Sequence, residues 1–280
     1  MNNLDLPLDG TIKYDIVCLH KIDQHQYDMP FHKHTVYELE LYISGDINLI
    51  TDKSTYHMQN GYLTLVPPGV WHRTTTVDTS IPYERIVLNI KPSIIDSIST
   101  AQTDLAQCFF KDGPTNIQVL KLDNAQMTRY IKFCHQLIPI INSNEFGADI
   151  RRRNLLAEIM LITNDAARSK QASLTNIIPP LIKRITAYVD ANIANDLTLA
   201  AFSKHFFLNS SYISRYFKSY MGLSLHAYII EKRIELAKSL LSQGNSVSDT
   251  CSLCGFGNYS NFIRTFNRHV GVSPGHYVQK

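Results

Sequence analysis

The sequence predicts a multidomain β + α protein: a small antiparallel β-barrel with two appended antiparallel helices, followed by an all-α half. Three observations carry that expectation. Residues 11–90 alternate apolar and polar side chains between turn residues, the pattern of half-buried strands. From residue 93 onward apolar positions recur at three and four, which is helical spacing. Charge divides along similar lines: residues 1–175 hold 16 Lys+Arg against 19 Asp+Glu, whereas residues 176–280 hold 11 against 5, so the net +3 averages −3 and +6. Such asymmetry points to one nucleic-acid-facing part and one that is not.

Composition excludes several classes. With 280 residues, 44% apolar and 18% charged, the chain is neither disordered nor collagen-like. No run approaches the ~18 consecutive apolar residues of a membrane span, and Met1-Asn2-Asn3-Leu4-Asp5 lacks the basic and apolar regions of a signal peptide. The expectation is a cytoplasmic protein with no membrane partner. Five cysteines, Cys18, Cys108, Cys134, Cys251 and Cys254, form no dense framework, and the single C-x-x-C at Cys251 has neither a second pair nor a nearby histidine pair. They read as small core residues.

In the first half, Tyr37, Leu39, Leu41 and Ile43 alternate with Glu38, Glu40 and Tyr42, Ser44-Gly45-Asp46 turns the chain, and Ile47 and Leu49 resume the alternation. Asn60-Gly61 is a hairpin signal because both residues tolerate positive φ. Residues 62–66 follow, Pro67-Pro68-Gly69 stops the strand, and residues 85–90 add another. Six or more such strands imply a sandwich or barrel. Beyond it, Met127, Tyr130, Ile131, Cys134, Leu137 and Ile138 form one helical stripe ending near Pro139, and a second helix runs over 148–167 with Ile150, Leu155, Ile159 and Ile162. This pair either packs on the outside of the barrel or pairs with the same helices of another subunit. Arg151-Arg152-Arg153 reads as a solvated helix start or an ion-pairing patch.

The second half carries a duplicated scheme. Ile182, Ile185, Tyr188 and Val189 mark a first helix, and Thr198 caps a short helix over 199–206. Asn209 or Ser210 caps the next, which is expected to bury Tyr212, Ile213, Tyr216 and Phe217 and to expose Ser211, Ser214, Arg215 and Lys218. A long helix follows with Ala227, Ile230, Ile234, Ala237 and Leu241 on one stripe. Residues 246–254 then form another short helix, Gly255-Phe256-Gly257-Asn258 a turn, and residues 259–270 a helix expected to bury Phe262, Ile263 and Phe266. Ser260, Asn261, Arg264, Asn267 and Arg268 are left facing out. Two short helices joined by a tight turn, used twice, is the helix-turn-helix arrangement.

Two resemblances sharpen this. His32-Lys33-His34, Glu38 and Gly45, with the later Pro67-Pro68-Gly69-Val70-Trp71-His72, resemble the two cupin motifs. In metal-binding cupins the corresponding residues converge inside the barrel, which implies a divalent-metal site at His32, His34, Glu38 and His72, although Thr76 stands where that pattern has asparagine. Offsets of two and six residues place His32, His34 and Glu38 on one strand face. The opposite parity, Tyr37, Leu39, Leu41 and Ile43, is the more natural core set, and if it points inward the histidines face water. A bound metal, a metal-free pocket for an organic ligand, and no role at all therefore stand side by side. Trp71 either stacks on a ligand or closes the core.

Residues 180–278 resemble the DNA-binding domain of the AraC/XylS family of bacterial transcription regulators. The carrying motifs are Leu197-Thr198-Leu199, the eight residues from Ser211 to Lys218, Gly222-Leu223-Ser224, Tyr228-Ile229, Arg233, Ala237, Leu240-Leu241, Gly255-Phe256, Phe262, Arg264-Thr265-Phe266 and Gly271-Val272-Ser273-Pro274. Cys251 departs from the family's usual alanine, and Phe202-Ser203 from its Leu-Ala. The resemblance implies a cupin-like effector-sensing barrel (1–95), a helical dimerisation region (96–168), a linker (169–179) and an AraC-type domain with two helix-turn-helix units (180–280). It further implies a homodimer that binds double-stranded promoter DNA in answer to a small-molecule effector, a sugar or related polar metabolite, with RNA polymerase as a further partner. Ser211, Ser214 and Arg215 are the implied base readers of the first unit, and Ser260, Asn261 and Arg264 those of the second, with Tyr259 beside them. Lys218 and Arg268 meet phosphate. The effector site is His32, His34, Glu38, Trp71 and His72. The alternative is a metal-binding cupin sensor or a metal-dependent cupin enzyme fused to a DNA-binding module. No Ser-His-Asp, P-loop or dinucleotide fingerprint argues for catalysis, so an enzyme is not expected.

Overall fold

The alternating segments of the first half are strands, arranged in two facing sheets. In the computed structural model, which describes residues 14–24, 29–51, 54–110, 113, 116–169 and 179–277, these strands are β1 (Ile16–Asp23), β2 (Tyr37–Ser44), β3 (Asp46–Thr51), β4 (Thr55–Met58), β5 (Tyr62–Val66), β6 (His72–Asp78), β7 (Tyr83–Ile90) and β8 (Gln118–Lys121). One sheet has the order β1-β7-β2-β5-β8 and the other β4-β3-β6, with every pairing antiparallel. Gly61 does adopt the positive φ of a tight turn. The hairpin expected there does not form: β4 pairs with β3 and β5 pairs with β2, so the Asn60-Gly61 turn carries the chain from one sheet to the other. The described chain divides into two compact units, Met1–Ile177 and Ile178–Lys280. The predicted linker lies mostly outside the described residues.

Three helices follow the barrel strands: α1 (Pro92–Ile98), α2 (Asn124–Leu137) and α3 (Ala148–Arg168). Asp123 and Gln126 close a reciprocal capping box on α2, which explains its sharp start. The region expected to be wholly helical also supplies β8, a short strand at the sheet edge that carries too few residues to show a period of two. Arg152 is neither solvated nor ion-paired as expected: it donates to the carbonyls of Ile140, Ile141 and Ser143 at 3.0 Å each and so closes the α2–α3 connection. Arg153 donates to the Ser97 carbonyl at 2.9 Å.

The helices decide which face of β2 is the inside. Tyr37, Leu39 and Leu41 join Leu63, Leu65, Ile86 and Leu88 in a core completed by Tyr130, Cys134 and Leu137 of α2 and Leu156, Ile159 and Met160 of α3. Burying a leucine completely is worth about 1.5–3 kcal/mol, so this covered face holds the helical pair to the sheet. The other parity, Glu38, Glu40 and Tyr42, therefore points between the sheets, where Tyr42 packs with Ile47, Leu49, Met58, Val66, Val70 and Tyr83. A sheet covered on both faces buries both parities. The expectation that one parity faces water fails for that reason.

The second unit is all helix: α4 (Pro180–Ala191), α5 (Leu199–Phe206), α6 (Ser210–Met221), α7 (Leu225–Ser242), α8 (Val247–Leu253), α9 (Tyr259–Val270) and α10 (Pro274–Tyr277). Side-chain caps set the boundaries. Thr198, Asn209, Ser224, Ser246 and Asn258 each accept from a backbone N–H in the first turn of the helix they open. Left-handed Gly222 and Gly271 close α6 and α9. The first helix-turn-helix packs around Phe202, Phe206, Ile213, Phe217 and Tyr228, and the second around Ile234, Leu241, Cys251, Cys254, Phe262 and Phe266. Both members of the C-x-x-C are thus core residues, and burial pushes the Cys254 thiol up to about 12.

Candidate DNA-reading face and sensor cluster

Helices α6 and α9 carry the residues expected to read DNA. On α6, Ser211, Arg215 and Lys218 are exposed and Ser214 is half-buried, while Ile213, Phe217 and Met221 point inward. On α9, Tyr259, Ser260, Asn261, Arg264, Asn267 and Arg268 are exposed and Phe262, Thr265 and Phe266 are buried. Arg264 Nη2 donates to Asn261 Oδ1 at 3.2 Å, which presents these two side chains as one polar surface. Of the polar residues expected to face out, all are exposed except Ser214, which is half-buried.

The apolar expectations need correction. Tyr212 is 45% exposed rather than buried, and Tyr216 is half-buried; their rings stack at 5.5 Å and 16° along the helix surface. Ile263 is half-buried at the edge of the second core. In the duplicated register Tyr212 occupies the position of Asn261, so the repeat itself held the signal that Tyr212 belongs to the reading face. Tyrosine misled because its apolar ring fits a core pattern while its hydroxyl favours water.

Behind the recognition helices, Arg233 of α7 fixes the frame. Its Nε donates to the Ile193 carbonyl at 3.1 Å and its Nη2 to the Asn195 carbonyl at 2.8 Å. Gly255 sits against the same segment with φ +75°, and a Cβ there would fall 2.6 Å from the Ile193 oxygen and 2.9 Å from Arg233 Nη2. Only glycine meets both conditions. An open groove of about 730 Å³ runs beside this strut, lined by Leu197, His226, Ile229 and Phe256 among others.

In the first unit, three histidines and two glutamates meet between the sheets. His32 and His34 precede β2 rather than sharing a strand with Glu38. They lie on a segment bound to β6, because His32 and His72 exchange backbone hydrogen bonds at 2.9 Å and Gly69 N donates to the His34 carbonyl at 2.8 Å. The strand-parity argument is therefore replaced by a bridge between sheets. One side-chain nitrogen from each of His32, His34 and His72 lies within 4.8 Å of the others. His34 Nε2 is 3.4 Å and His72 Nε2 3.3 Å from the Glu38 carboxylate.

Each imidazole is oriented through its other nitrogen. Nδ1 of His32, His34 and His72 lies 2.9, 2.9 and 3.0 Å from the carbonyls of Pro30, Val36 and Val70. A carbonyl only accepts, so each Nδ1 carries a hydrogen, and Nε2 bears a lone pair only while the imidazole is neutral; burial works to lower the pKa of His72, but the adjoining Glu38 carboxylate outweighs burial and raises it. Nε2 of His34 and of His72 is buried with no hydrogen-bond partner among the described residues. The divalent metal that a cupin-like barrel implies thus meets a donor set of the right kind: convergent imidazole nitrogens, each ring held through Nδ1 by a backbone carbonyl, beside a carboxylate. Burial and the neighbouring His72 push His32 down to about 4. Burial works to raise Glu38, but His34 and His72 outweigh it and hold this carboxyl well below the usual range, so Glu38 stays anionic.

Residues that sequence reasoning passed over surround this cluster. Glu40, one step along the Glu38 parity, accepts from the Tyr83 hydroxyl and, at 3.2 Å, from that of Tyr42. Arg85 is buried between Asp23 at 2.5 Å and Glu40 at 3.4 Å, over the Tyr83 ring at 4.1 Å. A small, partly open cavity of about 40 Å³ is lined by His32, Glu38, Glu40, His72, Thr74 and Arg85 among others. Trp71, expected at the ligand site, does not line it: its ring stacks on Phe31 at 5.4 Å, with Lys33 Nζ 4.8 Å above.

A β-barrel with a polar, histidine-lined interior joined to a duplicated helix-turn-helix defines a class, the DNA-binding transcription regulators that carry a ligand-binding domain. Comparison with known proteins agrees with it. Residues 16–160 match the family model of the AraC-like ligand binding domain, and residues 202–280 that of a helix-turn-helix domain. The chain belongs to the AraC family of transcription regulators. LumQ of Photobacterium leiognathi, described as a transcriptional regulator, is 30% identical over 154 residues, 47% of this chain and 61% of LumQ. The melibiose operon regulatory protein of Escherichia coli K12 is 22% identical over 250 residues, 88% of this chain and 82% of that regulator. ToxT of Vibrio cholerae, crystallised with an unsaturated fatty acid, aligns over 94% of each chain at 14% identity and a TM-score of 0.39, a level that says nothing of ligand or mechanism. Among the described residues no helix is long and apolar enough to cross a membrane.

Proposed function

We propose that this chain is a non-enzymatic, ligand-responsive regulator that binds promoter DNA in the cytoplasm, as a homodimer, in the company of RNA polymerase. The observation that carries the reading is the repeated exposed surface of α6 and α9 on one rigid frame. At ~1.5 Å per residue the 18 residues of α7 span about 27 Å, close to the ~34 Å of one DNA turn, so α7 spaces the two recognition helices for successive major grooves. Ser211, Tyr212, Ser214 and Arg215 read one groove, and Tyr259, Ser260, Asn261 and Arg264 the next. Lys218 and Arg268 meet phosphate and set affinity rather than sequence. The effector acts at the barrel cluster of His32, His34, Glu38 and His72, and the α2–α3 pair forms the dimer contact.

The test begins with DNA fragments enriched by the full chain from a randomised double-stranded pool. The wild type should bind the enriched fragment at least ~10³-fold tighter than a scrambled one at fixed salt. The Arg215→Ala/Arg264→Ala variant should lose most of that ratio while keeping its affinity for scrambled DNA. Equal losses on both fragments would count against base reading by these helices.

A further inference from the structure

We infer that Tyr212 determines specificity in the first recognition helix by meeting the 5-methyl group of thymine, so that the half-site under α6 requires thymine and the half-site under α9 does not. The inference rests on the reading of α6 and α9 as recognition helices, and it names the DNA group that one of them recognises.

Helix geometry decides first which side chains face the groove. Ile213, Phe217 and Met221 are fully buried and set the inward direction of α6. At about 100° per residue, the opposite direction falls between Arg215 and Ser219, with Tyr212 about 40° to one side and Ser211 about 60° to the other. Ser214 lies about 120° away, in keeping with its partial burial. Tyr212 therefore faces outward more directly than either serine. Its ring is also held. Tyr216, half-buried one turn further on, stacks against it at 5.5 Å and 16°, which covers one face of the ring and leaves the residue 45% exposed. A side chain already fixed in this way loses little freedom when DNA covers it.

The chemistry of the groove decides next. Base pairs present hydrogen-bond donors and acceptors in the major groove and a single apolar group, the C5 methyl of thymine. The exposed side chains of α6 are Ser211, Tyr212, Arg215, Lys218 and Ser219, and Tyr212 alone among them carries an aromatic ring. An apolar reader finds one partner there. Arg215, three residues further along, supplies the complementary polar contact, to guanine O6 and N7. The half-site under α6 thus combines guanine with thymine.

The second unit supplies the contrast. Asn261 stands at the position of Tyr212, and its Oδ1 accepts from Arg264 Nη2 at 3.2 Å, so the centre of this face is polar. Tyr259, the exposed aromatic residue of α9, matches Ser210 in the first unit, a position about 160° round from the outward direction. It does not take the place of Tyr212.

Deoxyuridine, which pairs as thymidine does but lacks the methyl group, is a suitable probe in the enriched fragment. The half-site relaxed by Arg215→Ala is that of α6, and the one relaxed by Arg264→Ala that of α9. Uracil for thymine in the α6 half-site should weaken binding by the full wild-type chain about 4-fold for each methyl contacted, and in the α9 half-site should leave it unmoved. Tyr212→Ala should bind thymine and uracil fragments alike, while Tyr212→Phe, which keeps the ring, should keep the difference; the cycle isolates the contact between ring and methyl. Unchanged binding of both variants to scrambled DNA shows that they are folded. Wild-type indifference to uracil in the α6 half-site, with the enriched fragment still preferred over the scrambled one, would overturn the inference and leave the regulator reading standing. So would an enriched α6 half-site without thymine. A thymine–uracil difference that survives Tyr212→Ala would overturn it too, since another group would then meet the methyl, as would a difference lost in Tyr212→Phe, since the hydroxyl would then be the contact. Failure of the wild type to discriminate enriched from scrambled DNA would instead overturn the reading of α6 and α9.

Discussion

The two helix-turn-helix units share a skeleton and differ on their surface. Asn209 and Asn258 cap the recognition helices, Phe217 and Phe266 anchor them, and Gly222 and Gly271 end them, at matching positions 49 residues apart. Outward positions diverge: Tyr212 stands opposite Asn261, Ser214 opposite Ile263, Lys218 opposite Asn267 and Ser219 opposite Arg268. The turns diverge too. Left-handed Phe207, 91% exposed, stands two residues before its cap, whereas left-handed Gly255 stands three before its own. Packing constraints preserve a skeleton, whereas an exposed face is free to diverge with the DNA it meets. On the proposed function, two such different faces on one frame should read two different half-sites, not an inverted copy of one.

The shared skeleton gives the largest expected effects. Phe217→Ala and Phe266→Ala, both at fully buried positions, should each cost about 3–5 kcal/mol. Urea unfolding of the second unit would show it, and a small loss at either site would mean that the two cores are not equivalent. The turns should respond with opposite signs. Gly255→Ala meets both a positive φ and the Ile193 carbonyl and should destabilise by about 2–4 kcal/mol. Phe207→Gly should stabilise by about 0.5–1 kcal/mol, since it relieves a left-handed non-glycine residue and removes little buried surface. The same sign in both would erase the distinction drawn between the turns.

The reading faces should separate next. Arg215→Ala and Arg264→Ala should each lose about 1–3 kcal/mol of discrimination, at half-sites one DNA turn apart. Selection of preferred sites with each single variant would locate the relaxed positions; relaxation of the same bases by both would contradict separate grooves. The smallest effect belongs to Lys218→Ala. It should weaken binding evenly across sequences and make the salt dependence shallower by about one phosphate contact, as binding titrations over a salt series would record.

Much of this was legible in the residues. The caps, the stripes at three and four, the repeat of 49 residues and the polar reading side chains all stand in the sequence because each depends on neighbours within a turn or two of helix. The misreadings have a common cause. Tyr212 fits a core pattern because aromatic spacing alone does not say how far a ring is covered. The strand Gln118–Lys121 is defined by its pairing with β5 and not by its own pattern. At Asn60-Gly61 the residues specify the turn but not the sheets that it joins.

What the sequence determined by itself is therefore local: period two in the first half, helical period in the second, the duplicated unit, and the residue types of a histidine–carboxylate cluster. Only the tertiary structure decided which face of β2 is inside, because alternation is symmetric until something covers one side, and here α2 and α3 cover the side of Leu39 and Leu41. That choice turns Glu38 and Glu40 inward. The same structure brings His32, His34 and His72 together from segments separated by some forty residues and sets Nε2 of His34 and of His72 beside Glu38, a convergence that depends on backbone carbonyls no motif records.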